Sequence, residues 1–195
     1  MNRHQSTIGP DYFEHMFSGT NDPWDLETSP YEQAKYQDSV AALGGRTYAS
    51  AFEIGCAKGV LTAKLGIFCK SLFAIDVSIT ALAAARQRVA HLDHVSFAQM
   101  AFPQDAPSGH FDLVVLSEVA YYWDDRDICR TADWLETHLV TGGDLLLVHF
   151  TGDTDYPQSG DDAVTKLLAP LTGALDVVTA SRRPRYRLDL WRRNP

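Results

Sequence analysis

The 195-residue sequence lacks paired cysteines, long apolar runs and an excess of basic residues. Cys56, Cys69 and Cys129 are scattered, whereas disulfide frameworks and zinc sites use paired spacings such as CxxC. No run approaches the ~20 apolar residues that span a bilayer, and the N-terminus has no signal-peptide core, so we expect a cytoplasmic protein without a membrane partner. The net charge of -8 argues against nucleic acid as a partner, because nucleic-acid-binding surfaces are normally basic.

Short apolar runs alternate with longer segments of helical spacing, as in parallel sheets with crossover helices. The runs that predict strands are 48–54, 71–76, 94–99, 111–117 and 144–150. The segments that predict helices are 58–68, 78–92 and 127–139. Ser78 is a plausible N-cap, and Gly142 and Gly143 are interpreted as a helix stop signal. The sequence therefore predicts an open α/β sheet in a single domain over residues 1–195, with residues 46–150 as its ligand-binding core.

The two ends of the chain fall outside this alternation. In the N-terminal cap (1–45), residues 28–43 predict a helix with Pro30 at its first position and a capping box between Ser29 and Glu32. The C-terminal part (151–195) predicts a helix at 161–169 and a closing hairpin at one edge of the sheet. Its arginine-rich end, 181–193, is interpreted as a solvated hairpin face, with contact to an anionic substrate as the alternative.

The segment AFEIGCAKGV (51–60) joins a strand to a glycine loop and a helix, which is a general site for anions and nucleotides. A P-loop would need a hydroxyl residue after its Gly-Lys pair, and a dinucleotide loop would need glycine at Ala57. The remaining pattern, Glu53-x-Gly55-x-x-x-Gly59, resembles the first motif of class I S-adenosylmethionine-dependent methyltransferases. An acid beside the loop repels a pyrophosphate but can organise a cationic cofactor that bears an amino acid.

Further motifs follow in the order and spacing of that class. Asp76 ends the second strand, where Rossmann-like folds place an acid that accepts from ribose hydroxyls. FDLVVLSEV (111–119) resembles the fourth strand of the class, and VTGGDLLLVHF (140–150) resembles its Gly-Gly turn and fifth strand. The segment after the third strand departs from the class, because Met100 and Ala101 stand where many members have an acid that receives the adenine amino group.

A narrower resemblance covers nearly the whole chain. NDPWDLETSPYEQAKY (21–36), EIGCAKGVLTAKL, LFAIDVSITALAAAR, DYPQSGDDAV and the terminal YRLDLWRR closely resemble the nodulation protein S family. The resemblance implies a Rossmann-like, doubly wound, mostly parallel seven-stranded sheet with an antiparallel C-terminal strand hairpin and an N-terminal helical lid. It also implies a monomeric or homodimeric N-methyltransferase that uses S-adenosyl-L-methionine and acts on an amine of a small molecule, such as a deacetylated sugar.

The resemblance also assigns roles to individual residues. The cofactor-binding positions are Trp24, Tyr31, Glu53, Gly55, Cys56, Gly59, Asp76, Val77, Met100, Ala101 and Ser117. An amine must react in its neutral form, so Glu118, and after it His149, is expected to accept the proton. Tyr121 and Tyr122 are expected to stack on a sugar face, and no metal is expected.

Other interpretations stay open at this point. An O-methyltransferase would share every cofactor motif, a nicotinamide-dependent reductase would need its pyrophosphate at Ala57, and a non-catalytic protein would bind the cofactor without transfer. Trp24 and Tyr31 are equally well interpreted as packing aromatics, and His149 as a core histidine. Lys35 is expected on a solvated helix face rather than at the cofactor carboxylate.

Overall fold

The structure is a computed structural model that describes residues 3–195. One of its two compact units comprises residues 9–101. Its elements are α1 (Pro10–Gly19), a 3-10 turn (Pro23–Asp25), α2 (Pro30–Ala42), β1 (Ala51–Ile54), α3 (Val60–Leu65), a second 3-10 turn (Gly66–Phe68), β2 (Leu72–Asp76), α4 (Ile79–Arg88) and β3 (Val95–Gln99). The three strands are parallel, as predicted, with β2 between β1 and β3.

The other unit comprises residues 3–8 and 102–195. Its elements are β4 (Phe111–Ser117), a 3-10 turn (Ala120–Tyr122), α5 (Asp125–His138), β5 (Leu139–Phe150), α6 (Gly160–Leu171), β6 (Leu175–Arg182) and β7 (Tyr186–Arg193). β4 and β5 are parallel, whereas β7 is antiparallel to both β5 and β6. The predicted C-terminal hairpin is therefore confirmed.

The strand order of the sheet is β3-β2-β1-β4-β5-β7-β6. This mixed, mostly parallel, seven-stranded sheet with helical connections confirms the predicted fold class. Every residue of β1 is buried, including Glu53, so the strand lacks the alternation of apolar and polar residues that a half-exposed strand shows. The subdivision of the chain at residues 45 and 150 stays a prediction. Within residues 3–195, no helix has the combination of length and apolarity needed to cross a bilayer.

The predicted helix starts differ in their outcome. The Ser78 hydroxyl accepts a hydrogen bond from the Ala81 N–H, which confirms Ser78 as the N-cap of α4. The prediction of a capping box at the start of α2 was wrong, because the Ser29 side chain makes no cap hydrogen bond. Glu32 is instead buried and lies 2.9 Å from the Lys35 ammonium. The predicted solvated position of Lys35 was therefore also wrong, since only 2% of this residue is exposed.

The glycine pair before the fifth strand is not a helix stop. α5 ends at His138, and the chain enters β5 at once with Leu139, so Gly142 and Gly143 lie inside the strand. The pairing of β4 with β5 shifts register in this region, and Gly142 has φ +72°. The two glycines thus form an irregularity within β5 rather than a linker before it.

Candidate functional site

The glycine loop after β1 turns tightly against α4. Three of its residues have positive φ: Gly55 (+74°), Ala57 (+47°) and Gly59 (+75°). A Cβ atom on Gly59 would stand 3.0 Å from both Cα and Cβ of Ala85. Gly59 is therefore required both by its left-handed backbone and by the close approach of the loop to the helix.

Asp76 connects the end of β2 to this loop. Its Oδ2 accepts a hydrogen bond from the Ala57 N–H at 2.8 Å, and its Oδ1 accepts one from the Ser78 N–H at 2.9 Å. Burial raises the pKa of this carboxyl to about 6, although these hydrogen bonds act in the opposite direction. Because each carboxylate oxygen can accept a second hydrogen bond, Asp76 can still receive both hydroxyls of a ribose diol.

Glu53 is a second acid in the same unit and lies inside β1. Only 2% of it is exposed, and burial raises the pKa of its carboxyl to about 7. Among residues 3–195, its Oε2 atom has no partner at hydrogen-bond geometry, although the Thr62 hydroxyl is near enough to lower the pKa of the carboxyl in part. A buried acceptor without a donor is rare in folded proteins, and it is one of the features that mark ligand sites.

Cys56, between the two acids in sequence, is not a nucleophile. Burial raises the pKa of its thiol well above the ordinary value, so the group is a protonated, apolar packing element. It packs with Ala74, Leu82 and Ala85 in the core behind the loop. None of the three cysteines, all of which lie within the described residues, forms a disulfide.

The predicted adenine-side residues follow β2 and β3. Val77, Met100 and Ala101 are all half-buried. The Met100 N–H donates to the backbone carbonyl of Asp76 at 3.1 Å, and this bond brings the ends of the two strands together. The Gln99 amide donates to the Val77 carbonyl at 3.0 Å.

The predicted aromatic residues of the N-terminal segment differ in exposure. Trp24 has φ +61°, is 40% exposed and packs edge-on against Phe17 at 5.8 Å. Tyr31 is half-buried and lies 5.2 Å from the Lys35 ammonium, measured to the ring centroid. The exposed indole of Trp24 is available to a ligand, whereas the Tyr31 ring already receives a cation.

In the second unit, Glu118 directly follows Ser117 at the end of β4. Its φ of +61° is a strained value for a side chain of this size. Its N–H donates to the Val148 carbonyl at 2.8 Å, and its Oε2 accepts from the Tyr121 hydroxyl at 2.7 Å and from the Phe150 N–H at 2.9 Å. These bonds hold the carboxylate in one position at the carboxyl end of the strand.

Three tyrosines cluster beside Glu118. Tyr121 stacks on Tyr156 with centroids 5.6 Å apart, and Tyr122 lies 4.5 Å from the same ring. Burial, followed by the charge of Glu118, raises the pKa of Tyr121 well above its usual range, so its hydroxyl stays a donor. Sequence reasoning missed Tyr156, because it lies in a polar loop 34 residues beyond Tyr122.

His149 is fully buried in β5. Its Nε2 accepts a hydrogen bond from the Ala120 N–H at 3.3 Å, and its ring meets the Tyr121 ring edge-on at 5.7 Å. With Nε2 acting as the acceptor, the proton of the neutral ring is on Nδ1. The full burial of the ring favours the core-histidine interpretation, and a proton-accepting role for His149 stays a prediction.

Comparison with known proteins places the chain in a family. The family model "Nodulation protein S (NodS)" matches residues 14–147. The chain belongs to the NodS family. It is 35% identical over 119 residues to nodulation protein S of Sinorhizobium fredii strain NGR234 (60% of this chain, 55% of the relative) and 36% identical over 128 residues to that of Rhizobium tropici (65% and 54%). The chain therefore spans about half the length of the curated relatives it matches.

Solved NodS structures share the fold. The N-methyltransferase NodS from Bradyrhizobium japonicum WM9 in complex with S-adenosyl-L-homocysteine is 27% identical, with a TM-score of 0.83 over 95% of this chain and 98% of that one. A second structure of the same NodS is 26% identical, with a TM-score of 0.74 over 87% of this chain and all of the other.

One polar contact in this NodS-family chain was not predicted from the sequence. The Glu14 carboxylate of α1 accepts from the Ser78 hydroxyl at 2.7 Å and from the Thr80 hydroxyl. These hydrogen bonds lower the pKa of Glu14. They fix α1 at the N-terminus of α4, where a negative charge is also favoured by the helix dipole.

The C-terminal arginines of this NodS-family chain are engaged with carboxylates. Arg187 lies 2.8 Å from both Asp161 and Asp189, and Arg192 lies 2.7 Å from the fully buried Asp144. These pairs stabilise the edge hairpin, so the structure supports the hairpin-face interpretation rather than contact with an anionic substrate.

Proposed function

We propose that this NodS-family chain is an S-adenosylmethionine-dependent methyltransferase that methylates an amine of a small molecule. Its family membership and its likeness to an N-methyltransferase crystallised with S-adenosyl-L-homocysteine support this proposal. The structural observation that carries it is the pair of buried acids, Glu53 and Asp76, beside a glycine loop whose third position is Ala57 rather than glycine.

The residues of the unit 9–101 fit such a cofactor. Asp76 has hydrogen-bonding capacity left for a ribose diol, and Glu53 has an unsatisfied Oε2 for an N–H donor or a bridging water. A nicotinamide dinucleotide would bring its pyrophosphate charge to the glycine loop, close in sequence to Glu53 and at a turn that has Ala57 in place of glycine, which disfavours the reductase alternative. When bound, S-adenosylmethionine supplies an electrophilic methyl group on a sulfonium centre.

We assign the removal of the amine proton to Glu118. The Tyr121 hydroxyl and the Phe150 N–H both donate to its Oε2 and hold the carboxylate in place for the ammonium of the methyl acceptor. A carboxylate held in this way loses little entropy when it accepts the proton, and it leaves the amine nitrogen with the lone pair that methylation requires.

An amino sugar or a short oligosaccharide with one free amine is the acceptor class we propose. The aromatic cluster of Tyr121, Tyr122 and Tyr156 supports this class, because aromatic rings pack on the apolar faces of sugars. Tyr156 is the half-buried member, whereas Tyr121 and Tyr122 are only 7% and 9% exposed. Tyr156 would therefore present the stacking surface, with the other two rings supporting it.

Calorimetric titration with S-adenosyl-L-homocysteine tests the cofactor assignment. We expect the wild-type chain to bind it and to give no heat with NADH. Asp76→Ala should abolish binding, because both the ribose acceptor and the Ala57 tether are lost. Asp93→Ala, which removes an exposed aspartate of the same unit, is the matched control and should bind normally. Undiminished affinity in Asp76→Ala would contradict the ribose assignment.

Mass spectrometry of the product tests the acceptor class. Chitooligosaccharides with one deacetylated amine should gain one methyl group on nitrogen, whereas fully acetylated oligosaccharides should gain none. Glu118→Gln should lower turnover by about a hundredfold or more while affinity for S-adenosyl-L-homocysteine stays near that of the wild type. Methylation on oxygen would favour the O-methyltransferase alternative, and full activity of Glu118→Gln would remove this residue from the proton transfer.

A further inference from the structure

Three charged side chains join the N-terminal segment to the glycine loop and to α4. The Glu27 carboxylate lies 2.9 Å from the Lys58 ammonium, and its other oxygen accepts from the Arg88 guanidinium. Lys58 stands in the glycine loop, and its ammonium also donates to the Asn21 carbonyl at 2.6 Å. The Arg88 Nε donates to the backbone carbonyl of Lys58 at 2.9 Å. Lys58 is thus held at both its side chain and its backbone. We call Glu27, Lys58 and Arg88 the charged triad.

The charged triad is partly withdrawn from water. The exposed fraction of the side chains is 10% for Lys58, 22% for Glu27 and 34% for Arg88. Ion pairs in this range of burial are screened less than surface pairs, and a network of three charges is worth more than an isolated exposed pair. The triad therefore has the strength to fix the positions of the backbone segments that it bonds.

A cavity of about 590 Å³ adjoins the charged triad. The triad residues line it together with Ala81 and Ala84 of α4, whose small side chains leave the space open. At this face, the edge-on contact of Trp24 with Phe17 is joined by a fastening of charges and polar bonds, which ties Glu27 and Asn21 to Lys58. Such a fastening is sensitive to salt, whereas an apolar one is not.

We propose that Glu27, Lys58 and Arg88 are positioning residues that hold the glycine loop in its cofactor-binding conformation. The inference rests on the proposed function, because it takes this loop as the cofactor loop. None of the three is assigned to contact the cofactor. They act on it through the backbone at Lys58, directly before the left-handed turn at Gly59.

Salt-dependent calorimetry with S-adenosyl-L-homocysteine tests this proposal. The probe carries one ammonium and one carboxylate near neutral pH, and salt screens their contacts as well, so the difference in salt dependence between the wild type and the variants reports on the triad. Between about 20 and 300 mM salt, we expect the wild type to lose affinity as the triad is screened. Lys58→Met should weaken binding at low salt by about fivefold or more and remove most of the salt dependence. Lys70→Met, which removes an exposed lysine, is the matched control and should change neither the affinity at low salt nor its dependence on salt.

Glu27→Gln gives a second, milder perturbation, because it removes the charge and keeps the shape. The variant Glu27→Gln/Lys58→Met should lose less affinity than the sum of the two single losses, since both changes act on one network. Hydrogen exchange of the ligand-free chain should accelerate in residues 21–27 and 55–59 in both single variants. Absence of binding by the wild type at low salt would overturn the proposed function. Binding by the wild type with equal affinity in Lys58→Met and Glu27→Gln would overturn the positioning role alone.

Discussion

Replacing Gly59 by alanine tests the geometry of the glycine loop. An L-residue at φ +75° costs about 1 kcal/mol relative to glycine. The new Cβ would also stand 3.0 Å from the Cα and Cβ of Ala85, and overpacking of this kind typically costs about 1–3 kcal/mol. We therefore expect the free energy of unfolding to fall by about 2–4 kcal/mol. For a chain of this length, that corresponds to a loss of roughly 5–15 °C in Tm.

Gly45→Ala is the matched control, because Gly45 has φ +74° and no atom within 4 Å of an added Cβ. In Gly45→Ala, the free energy of unfolding should fall only by the cost of an L-residue at positive φ, about 1 kcal/mol. Urea unfolding and thermal melting of both variants give the difference, which isolates the contact with Ala85. Equal losses in the two variants would refute the close approach of the loop to α4. A loss in Gly59→Ala well below that of Gly45→Ala would refute the left-handed backbone at Gly59 as well.

Two further predictions concern buried carboxylates. Because the pKa of Glu53 is raised to about 7, the native chain holds a proton that the unfolded chain releases, so stability should fall as pH rises from about 4.5 to 7. Asp76, with a pKa of about 6, contributes to this fall only below about pH 6. Glu53→Gln should therefore make the urea midpoint nearly independent of pH between about pH 6 and 7.5. An unchanged dependence of the midpoint on pH would contradict a raised pKa of Glu53. Arg192→Met should cost about 3 kcal/mol in urea unfolding, since it leaves the carboxylate of Asp144 buried without its guanidinium partner. Adding Asp144→Asn should recover part of this loss, and a mild effect of Arg192→Met alone would show that the pair contributes little.

The sequence predicted most of the sheet because the signals of its strands are local. Residues 111–117 form an apolar run bounded by polar residues, and β4 has these same bounds. The start of β5 was missed, because Gly142 and Gly143 carry the chemistry of a helix stop and nothing in their neighbours indicates an irregular pairing with β4. α1 was missed as well, since its N-cap position is Gly9, which has no side chain to mark the start of a helix. The helix is held in place by the hydrogen bond between Glu14 and Ser78, which are 64 residues apart.

The same distinction applies to the candidate site. The sequence placed Asp76 and Gly59 because a topological rule ties an acid and a glycine loop to consecutive strand ends. It did not place Tyr156 or the pairing of Glu27 with Lys58, because these contacts are made between segments that have no shared pattern. Glu118 was selected by its position after β4, but its strained backbone and its bonds to Tyr121 and Phe150 depend on the folded sheet.

The contact of Glu14 with Ser78 and Thr80 has a consequence for recombination between family members. The first residues of α4 are bonded to a side chain of α1, although 59 residues separate the end of α1 from the start of α4. The two helices must therefore be exchanged together if this contact is to be kept. A chimera that joins the N-terminal segment of one relative to the strands of another keeps this cap only where hydroxyl side chains stand at the positions of Ser78 and Thr80. Crossovers between the two helices should therefore keep this contact only among relatives that share Glu14 and those hydroxyls.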